Sequence, residues 1–438
     1  MSKPIVAVVG RPNVGKSTLF NRIAGGRISI VEDTPGVTRD RIYADADWLN
    51  HKFTMIDTGG LEPASAEFIP QQMLEQAQLA IDSANVVLFV VDVKDGITEG
   101  DHLAANILRR SKKPVVMAVN KVDSATREEG IYEFYELALG SLVAVSAEHA
   151  LGIGDLLDEI VAHFPPVNID DDENEILKIA IVGKPNVGKS SLTNKLLGES
   201  RVIVSDVPGT TRDAVDTYIK KGDKEFMLID TAGIRRKSRI KEDLEKYSIL
   251  RAVAAIERCH VCVMVISAEE GFTEQDAKIA GIAHERGKAA VIAVNKWDII
   301  EKDNHTLKKY EGEIREGLKY MSYAPMVFIS ALTGQRVNNL LDLSVTASEN
   351  NALRIATGTL NEVLANALAL REPPQDKGRQ LKVYYATQAS VRPPTFVLFV
   401  NDAALMHFSY KRYLENQIRK AFGFIGTPIH FVIRSRES

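Results

Sequence analysis

Two stretches of eight residues have the residue types and spacing to grip a chain of phosphates. GRPNVGKS at 10–17 and GKPNVGKS at 183–190 both fit G-x-x-x-x-G-K-[ST]. In the first, Gly10, Arg11, Pro12, Asn13, Val14 and Gly15 would wrap backbone N–H groups around the phosphates. The helix expected next would point its positive dipole end at the same place. Lys16 would reach the β- and γ-phosphates, and the Ser17 hydroxyl would hold Mg²⁺. In the second copy Gly183, Lys184, Pro185, Asn186, Val187 and Gly188 form the loop, and Lys189 and Ser190 take the two polar roles.

Downstream of each loop stand the companions that phosphoryl transfer needs. Asp57, Thr58, Gly59 and Gly60 read D-x-x-G, as do Asp230, Thr231, Ala232 and Gly233. The acid can bind Mg²⁺ through water, and the Gly60 or Gly233 N–H can sense a γ-phosphate. Thr38 and Thr211, in matching TRD segments, are placed to close on the same ion. Loss of these contacts after hydrolysis would release both loops, which makes the nucleotide a switch. A glutamine commonly follows D-x-x-G to orient the attacking water. Leu61 and Ile234 stand there and cannot do so, so intrinsic hydrolysis is expected to be slow.

The base is read by N-K-x-D, here Asn120, Lys121, Val122 and Asp123, then Asn295, Lys296, Trp297 and Asp298. Either aspartate could accept from guanine N1–H and the exocyclic amine. The asparagines would read the O6/N7 side, the lysines would cover the ring, and a main-chain N–H beside Ser146–Ala147 or Ser330–Ala331 would meet O6. Adenine would set its N1 lone pair against the carboxylate, a mismatch that can discriminate by about 10⁴. GTP and GDP are therefore the expected ligands.

These motifs need strands that end together and helices that follow them. The chain repeats itself: Gly10 to Gly183, VEDTPGVTRD to VSDVPGTTRD, and DTGG to DTAG are all offset by 173. NKVD to NKWD is offset by 175 and SAE to SAL by 184, so the second copy carries extra residues around 300–320. Apolar runs such as IVAVV at 5–9, FTMID at 53–57, VVLFVVD at 86–92, PVVMAVN at 114–120, LVAVS at 142–146 and KIAIV at 178–182 alternate with helical patterns. Near-continuous apolar strands of this kind predict mostly parallel sheets with helices on both faces, and ligands at the strands' carboxyl ends. The expected division is a first GTPase domain at 1–167, an acidic linker at 168–176 containing NIDDDENE, a second GTPase domain at 177–352, and an α+β domain at 353–438. In the last, Thr359-x-x-Glu362 reads as a capping box, with Leu360, Val363, Leu364, Ala367 and Leu368 on one helix face. Runs at 381–387, 395–401 and 428–434 read as strands, and the run at 409–422 as a basic helix, giving an order of α-β-β-α-β.

Composition excludes several classes. The 438 residues are 45% apolar and 26% charged, and no apolar run approaches the roughly 18 residues of a membrane span. The opening MSKPIVAVVG runs straight into the first loop and reads as a core strand. The two cysteines, Cys259 and Cys262, suit a reducing cytosol, and alignment with ANVVLFVVD puts them on a buried strand with no metal role. A cytoplasmic monomer without a membrane partner is expected. The net charge of −4 hides an asymmetry, because residues 353–438 hold 12 Lys and Arg against 6 Asp and Glu. That leaves +6 on the last domain and −10 on the rest, which suggests a polyanionic partner for the former. The copies also differ after D-x-x-G, where the second reads GIRRKSRIK and the first GLEPASAEF.

Taken together, the motifs resemble the tandem-domain bacterial ribosome-biogenesis GTPases of the Der, or EngA, family, over the whole length. The resemblance implies two GTP sites at the residues named above, a C-terminal KH-like domain, and GTP hydrolysis coupled to assembly of the large ribosomal subunit, with rRNA as partner. Asn13 and Asn186 match a loop asparagine that helps related GTPases bind an activating K⁺. One departure concerns the G-x-x-G clamp with which KH domains hold RNA between two helices. The only candidate, GFIG at 423–426, follows a helix and precedes a strand, so Gly423 reads as a helix C-cap. The other readings are a tRNA-modifying GTPase, for which no folate-binding or cysteine-bearing catalytic region is found, and a scaffold that holds GTP without turning it over.

Overall fold

The computed structural model describes residues 3–24, 43–57, 78, 80–124, 127, 129–165, 176–199, 201–202, 216–222, 224–229, 244–376 and 378–435. The first sheet is built from β1 (Ile5–Val9), β2 (Tyr43–Trp48), β3 (His51–Asp57), β4 (Val86–Asp92), β5 (Val115–Asn120) and β6 (Ser141–Ala144), in the order β2-β3-β1-β4-β5-β6. Only the β2–β3 pair is antiparallel. Every residue of β4 is buried, because alternate side chains feed opposite cores. Val87, Phe89 and Val91 enter one, and Val86, Leu88 and Val90 the other. Parallel pairing brings the carboxyl ends to one edge, with Asp57 beside Val8 and Asn120 beside Asp92.

The second sheet repeats the plan with β7 (Leu177–Val182), β8 (Arg201–Val202), β9 (Thr217–Lys221), β10 (Lys224–Ile229), β11 (Val261–Ser267), β12 (Ala289–Asn295) and β13 (Met326–Phe328), in the order β13-β12-β11-β7-β10-β9-β8. The cysteines lie at and just before β11, each only 1% exposed. Burial pushes the Cys259 thiol up to about 11 and the Cys262 thiol well above its usual range. Neither is a thiolate at neutral pH, so both act as core residues.

Residues Glu175–Lys241 and Ala255–Ser438 form one compact unit. Its C-terminal part runs helix Thr357–Leu370, a short hairpin of β14 (Gln375–Asp376) and β15 (Arg379–Gln380), β16 (Val383–Ser390), β17 (Thr395–Val400), helix Phe408–Phe422 and β18 (His430–Ser435). The three long strands pair in the order β16-β17-β18, the first pair antiparallel and the second parallel. The capping box expected at Thr359 is a correction: the helix starts earlier, after Ala356, with no side-chain cap. Packing overrides the local signal. Ile355 and Leu360 both seat in the C-terminal core, and Asn361 exchanges two hydrogen bonds with the Ala386 backbone, at 2.9 and 2.8 Å.

Gly423 does cap the second helix. Phe424 seats in the C-terminal core, and Gly426 docks on the second GTPase repeat. Gly426 N–H donates to Tyr323 O at 2.8 Å, and Gly426 O accepts from Ala290 N at 2.7 Å. A side chain has no room there, since an added Cβ would lie 2.5 Å from Ala347 Cβ on a backbone at φ +77°. Gly426→Ala is therefore expected to destabilise this unit by about 2 kcal/mol or more, combining left-handed strain with overpacking. Calorimetry of the full chain checks this as a lowered transition for the unit. Among the described residues no helix is long and apolar enough to cross a membrane.

Candidate nucleotide sites

Each phosphate loop leaves the end of a buried strand and turns through two left-handed residues. These are Asn13 (φ 67°) and Gly15 (φ 92°) in the first copy, Asn186 (φ 64°) and Gly188 (φ 93°) in the second. Such a turn gathers successive N–H groups into a concavity suited to an anion. The loop lysines are folded over it. Lys16 Nζ donates to Arg11 O at 2.8 Å, and Lys189 Nζ to Gly183 O and Lys184 O at 2.7 and 2.6 Å. Val14 and Val187 are fully buried anchors beneath the loops, while Pro12 is exposed and Pro185 half-buried.

Ser17 and Asp57 meet at the end of the first phosphate loop. Ser17 Oγ donates to Asp57 Oδ2 at 2.8 Å, and Asp57 is 2% exposed. A hydroxyl and a carboxylate converging at a loop's end form a hard oxygen donor set that fits Mg²⁺. In the second copy Ser190 is described, but Asp230 lies outside the described residues, together with Thr38, Thr58, Gly59, Gly60, Leu61, Thr211, Thr231, Ala232, Gly233 and Ile234. The acidic stretch at 168–175 and the basic loop at 233–241 lie outside them too.

The asparagines expected to read the base have a structural task that their motif did not reveal. Asn120 Nδ2 donates to Val14 O at 2.8 Å while its Oδ1 accepts from Ala147 N at 3.0 Å. Asn295 repeats this with Val187 O at 2.8 Å and Ala331 N at 2.9 Å. One amide thus ties the phosphate loop to the loop expected over guanine O6. This also explains Gly15 and Gly188, where a Cβ would sit 2.3 and 2.2 Å from the asparagine Nδ2. The buried Ser146 and Ser330 brace the outer loops by accepting from His149 N at 3.4 Å and Thr333 N at 3.1 Å.

The lysines of N-K-x-D reach back across each site. Lys121 Nζ donates to Asn13 O at 3.0 Å and pairs with Asp92, and Lys296 Nζ bonds Glu269 at 2.7 Å. Val122 N donates to Val145 O at 3.1 Å and Trp297 N to Ile329 O at 3.0 Å. The Trp297 ring is buried against Phe328 and Tyr310, with centroids 4.4 and 5.3 Å away. The aspartates differ between copies. Asp123 is paired with Arg127 and has Lys94 Nζ at 3.9 Å, whereas Asp298 has no ion-pair partner among the described residues.

A further constellation went unread in the sequence although it recurs at an offset of 175. Thr98 and Asp101 form a capping box at the start of helix Glu99–Ser111, and Thr273 and Asp276 do so at helix Glu274–Glu285. Both acids are fully buried. Each faces the second residue of its phosphate loop: Arg11 Nε lies 3.4 Å from Asp101 and Lys184 Nζ 4.0 Å from Asp276. Outer acids complete the clamp, Asp95 at 2.7 Å from Arg11 and Glu270 at 2.7 Å from Lys184. Burial raises the Asp276 carboxyl, and Thr273 and Lys184 oppose that rise. The T-x-x-D signal was present in both copies.

A mostly parallel sheet that carries a phosphate loop and an N-K-x-D corner, and that occurs twice in one chain, with a serine–aspartate pair beside the first loop, defines a tandem P-loop GTPase. The sequence matches the family described as 50S ribosome-binding GTPase over residues 5–121 and 178–296. Residues 354–434 match the KH-domain-like C-terminal domain of EngA bacterial GTPase enzymes. GTPase Der of Alkaliphilus oremlandii is 62% identical over 436 residues, covering 100% of this chain and 99% of that protein. GTPase Der of Agathobacter rectalis is 61% identical over 438 residues, with coverages of 100% and 99%. The chain belongs to the GTPase Der family, and so binds guanine nucleotide and hydrolyses GTP. Among solved structures, Era of Aquifex aeolicus bound to GDP and AlF4⁻ is similar at a TM-score of 0.31 and 21% identity, over 60% of this chain and 93% of that one.

Proposed function

We propose that this GTPase acts as a switch in assembly of the large ribosomal subunit, with rRNA of a large-subunit precursor as its partner in the cytoplasm. The observation that carries the reading is the pairing of two guanine sites with a C-terminal domain of net charge +6 on an otherwise acidic chain. The match to the 50S ribosome-binding family adds to it. Lys16 and Lys189 hold the β- and γ-phosphates. Ser17, Thr38 and Asp57, and Ser190, Thr211 and Asp230, hold Mg²⁺, which supplies charge neutralisation at the phosphates. Gly60 and Gly233 sense the γ-phosphate, so GTP and GDP favour different arrangements of the domains at 1–167, 177–352 and 353–438. Co-sedimentation tests the partner: precursors of the large subunit are expected to retain the protein, and binding to small subunits alone overturns the reading.

Hydrolysis without a glutamine calls for another charge at the phosphates. K⁺ is the proposed one, with Asn13 and Asn186 among its ligands, because neither side-chain amide has a partner among the described residues. Steady-state turnover is expected to be faster in KCl than in NaCl at matched ionic strength, and Asn186→Ala is expected to reduce that difference. Equal rates in the two salts remove K⁺ from the account.

A further inference from the structure

The RNA-contacting surface of the C-terminal domain cannot be the GFIG segment, whose Gly426 is hydrogen-bonded on both sides to the second GTPase repeat. The three-stranded sheet offers another. One face is spent on the core, where Ala386, Leu398 and Ile433 pack. On the opposite face a single row crosses all three strands: Tyr385 is registered with Phe399, and Phe399 with Arg434. The Tyr385 and Phe399 rings are stacked, 4.4 Å apart and 16° from parallel. Tyr385 is 38% exposed and Val432, in the next row, 40%. Lys382, whose N–H donates to Asn401 Oδ1 and whose carbonyl accepts from Asn401 N, is exposed at the same end of the sheet. Neither Arg434 nor Lys382 has a carboxylate partner among the described residues.

We propose that this row, Tyr385–Phe399–Arg434 with Lys382 beside it, is a platform for single-stranded RNA. A base stacks on the exposed Tyr385 ring, and Arg434 and Lys382 take the adjoining phosphates. The plainer account is a cross-strand aromatic pair that only stabilises its sheet. It explains the stacking but not two cations without a carboxylate partner among the described residues at the same end of a domain carrying +6. Charge complementarity selects a polyanion, and the exposed Tyr385 ring selects one with free bases over a duplex. The inference rests on the reading that this domain contacts RNA, and it assigns the surface.

The test uses the full chain and a fluorescent 12-mer of uridine, with anisotropy read from about 50 to 200 mM salt. Tyr385→Ala is expected to weaken binding about tenfold, and Tyr385→Phe to bind like the unaltered chain, because stacking needs the ring alone. Arg434→Ala is expected to lower the slope of log affinity against log salt by about 0.7, the loss of one phosphate contact on a single strand. GTP turnover in the same preparations should be unchanged, which shows that the variants are folded. No binding by the unaltered chain at low salt, or equal binding by Tyr385→Ala, overturns the platform. Retention on ribosomal particles without uridine binding overturns the platform and leaves the proposed partner standing. Uridine binding without particle retention does the reverse. If Tyr385→Ala weakens particle retention while the oligonucleotide is ignored, the face binds protein and the proposal fails.

Discussion

Asp298→Asn is expected to convert the second site from guanine to xanthine nucleotides, with GTP affinity falling by about a hundredfold or more. In the proposed base site the carboxylate would accept from both guanine N1–H and the 2-amino group. An amide can donate to the 2-oxo group of xanthine but meets the guanine amine with an N–H. Asp298 suits the experiment because it has no ion-pair partner among the described residues, so its charge can be removed without orphaning a neighbour. Asp123→Asn is expected to make the same switch with a smaller loss. Arg127 and Lys94 already draw on that carboxylate, and guanine must compete with them. Titration with a fluorescent nucleotide, read by energy transfer from Trp297 in a Trp48→Phe background, isolates the second site, since Trp48 is the only other tryptophan. Unchanged GTP affinity in Asp298→Asn removes the base assignment.

Asn295→Ala is expected to do comparable damage by a different route. Its amide satisfies Val187 O and Ala331 N, both within the buried frame of the site. Removing it strands an acceptor and a donor, each costing about 1–3 kcal/mol, and unties the phosphate loop from the loop over the base. Affinity for GDP and GTP should fall together by about a hundredfold. Asp298→Asn should instead spare xanthine nucleotides. A loss confined to the triphosphate would contradict a framework role. Asn120→Ala provides the same comparison in the first site.

Strands were the most readable feature of the sequence. β1 and β4 run over the expected residues, because a strand buried on both faces leaves an unbroken apolar run. The phosphate loops and N-K-x-D corners were also legible, since their chemistry fixes residue types at short spacing. What escaped depends on partners far apart in the chain. Asn120 meets Val14 across 106 positions, and nothing local marks that tie. The clamp of Arg11 by Asp101 was hidden because a capping box reads as a helix start and nothing more. Thr359 failed for the converse reason: a sound local cap signal yielded to the burial of Ile355 and Leu360 in a core assembled from later strands. The docking of Gly426 likewise depends on Ala290, Tyr323 and Ala347 of the second GTPase repeat.

The central claim is that the γ-phosphate state governs association with a large-subunit precursor. Two sites that can each lose that phosphate, on a chain whose basic C-terminal domain docks through Gly426 on the second GTPase repeat, would give a ligand different contacts in its two states. Slow hydrolysis at Leu61 and Ile234 would let the bound state outlast an assembly step. The direct measurement is co-sedimentation of the full chain with ribosomal particles in GDP or in a non-hydrolysable GTP analogue, at matched salt. Association in the analogue and release in GDP is the predicted result. Equal association in both nucleotides would contradict the switch.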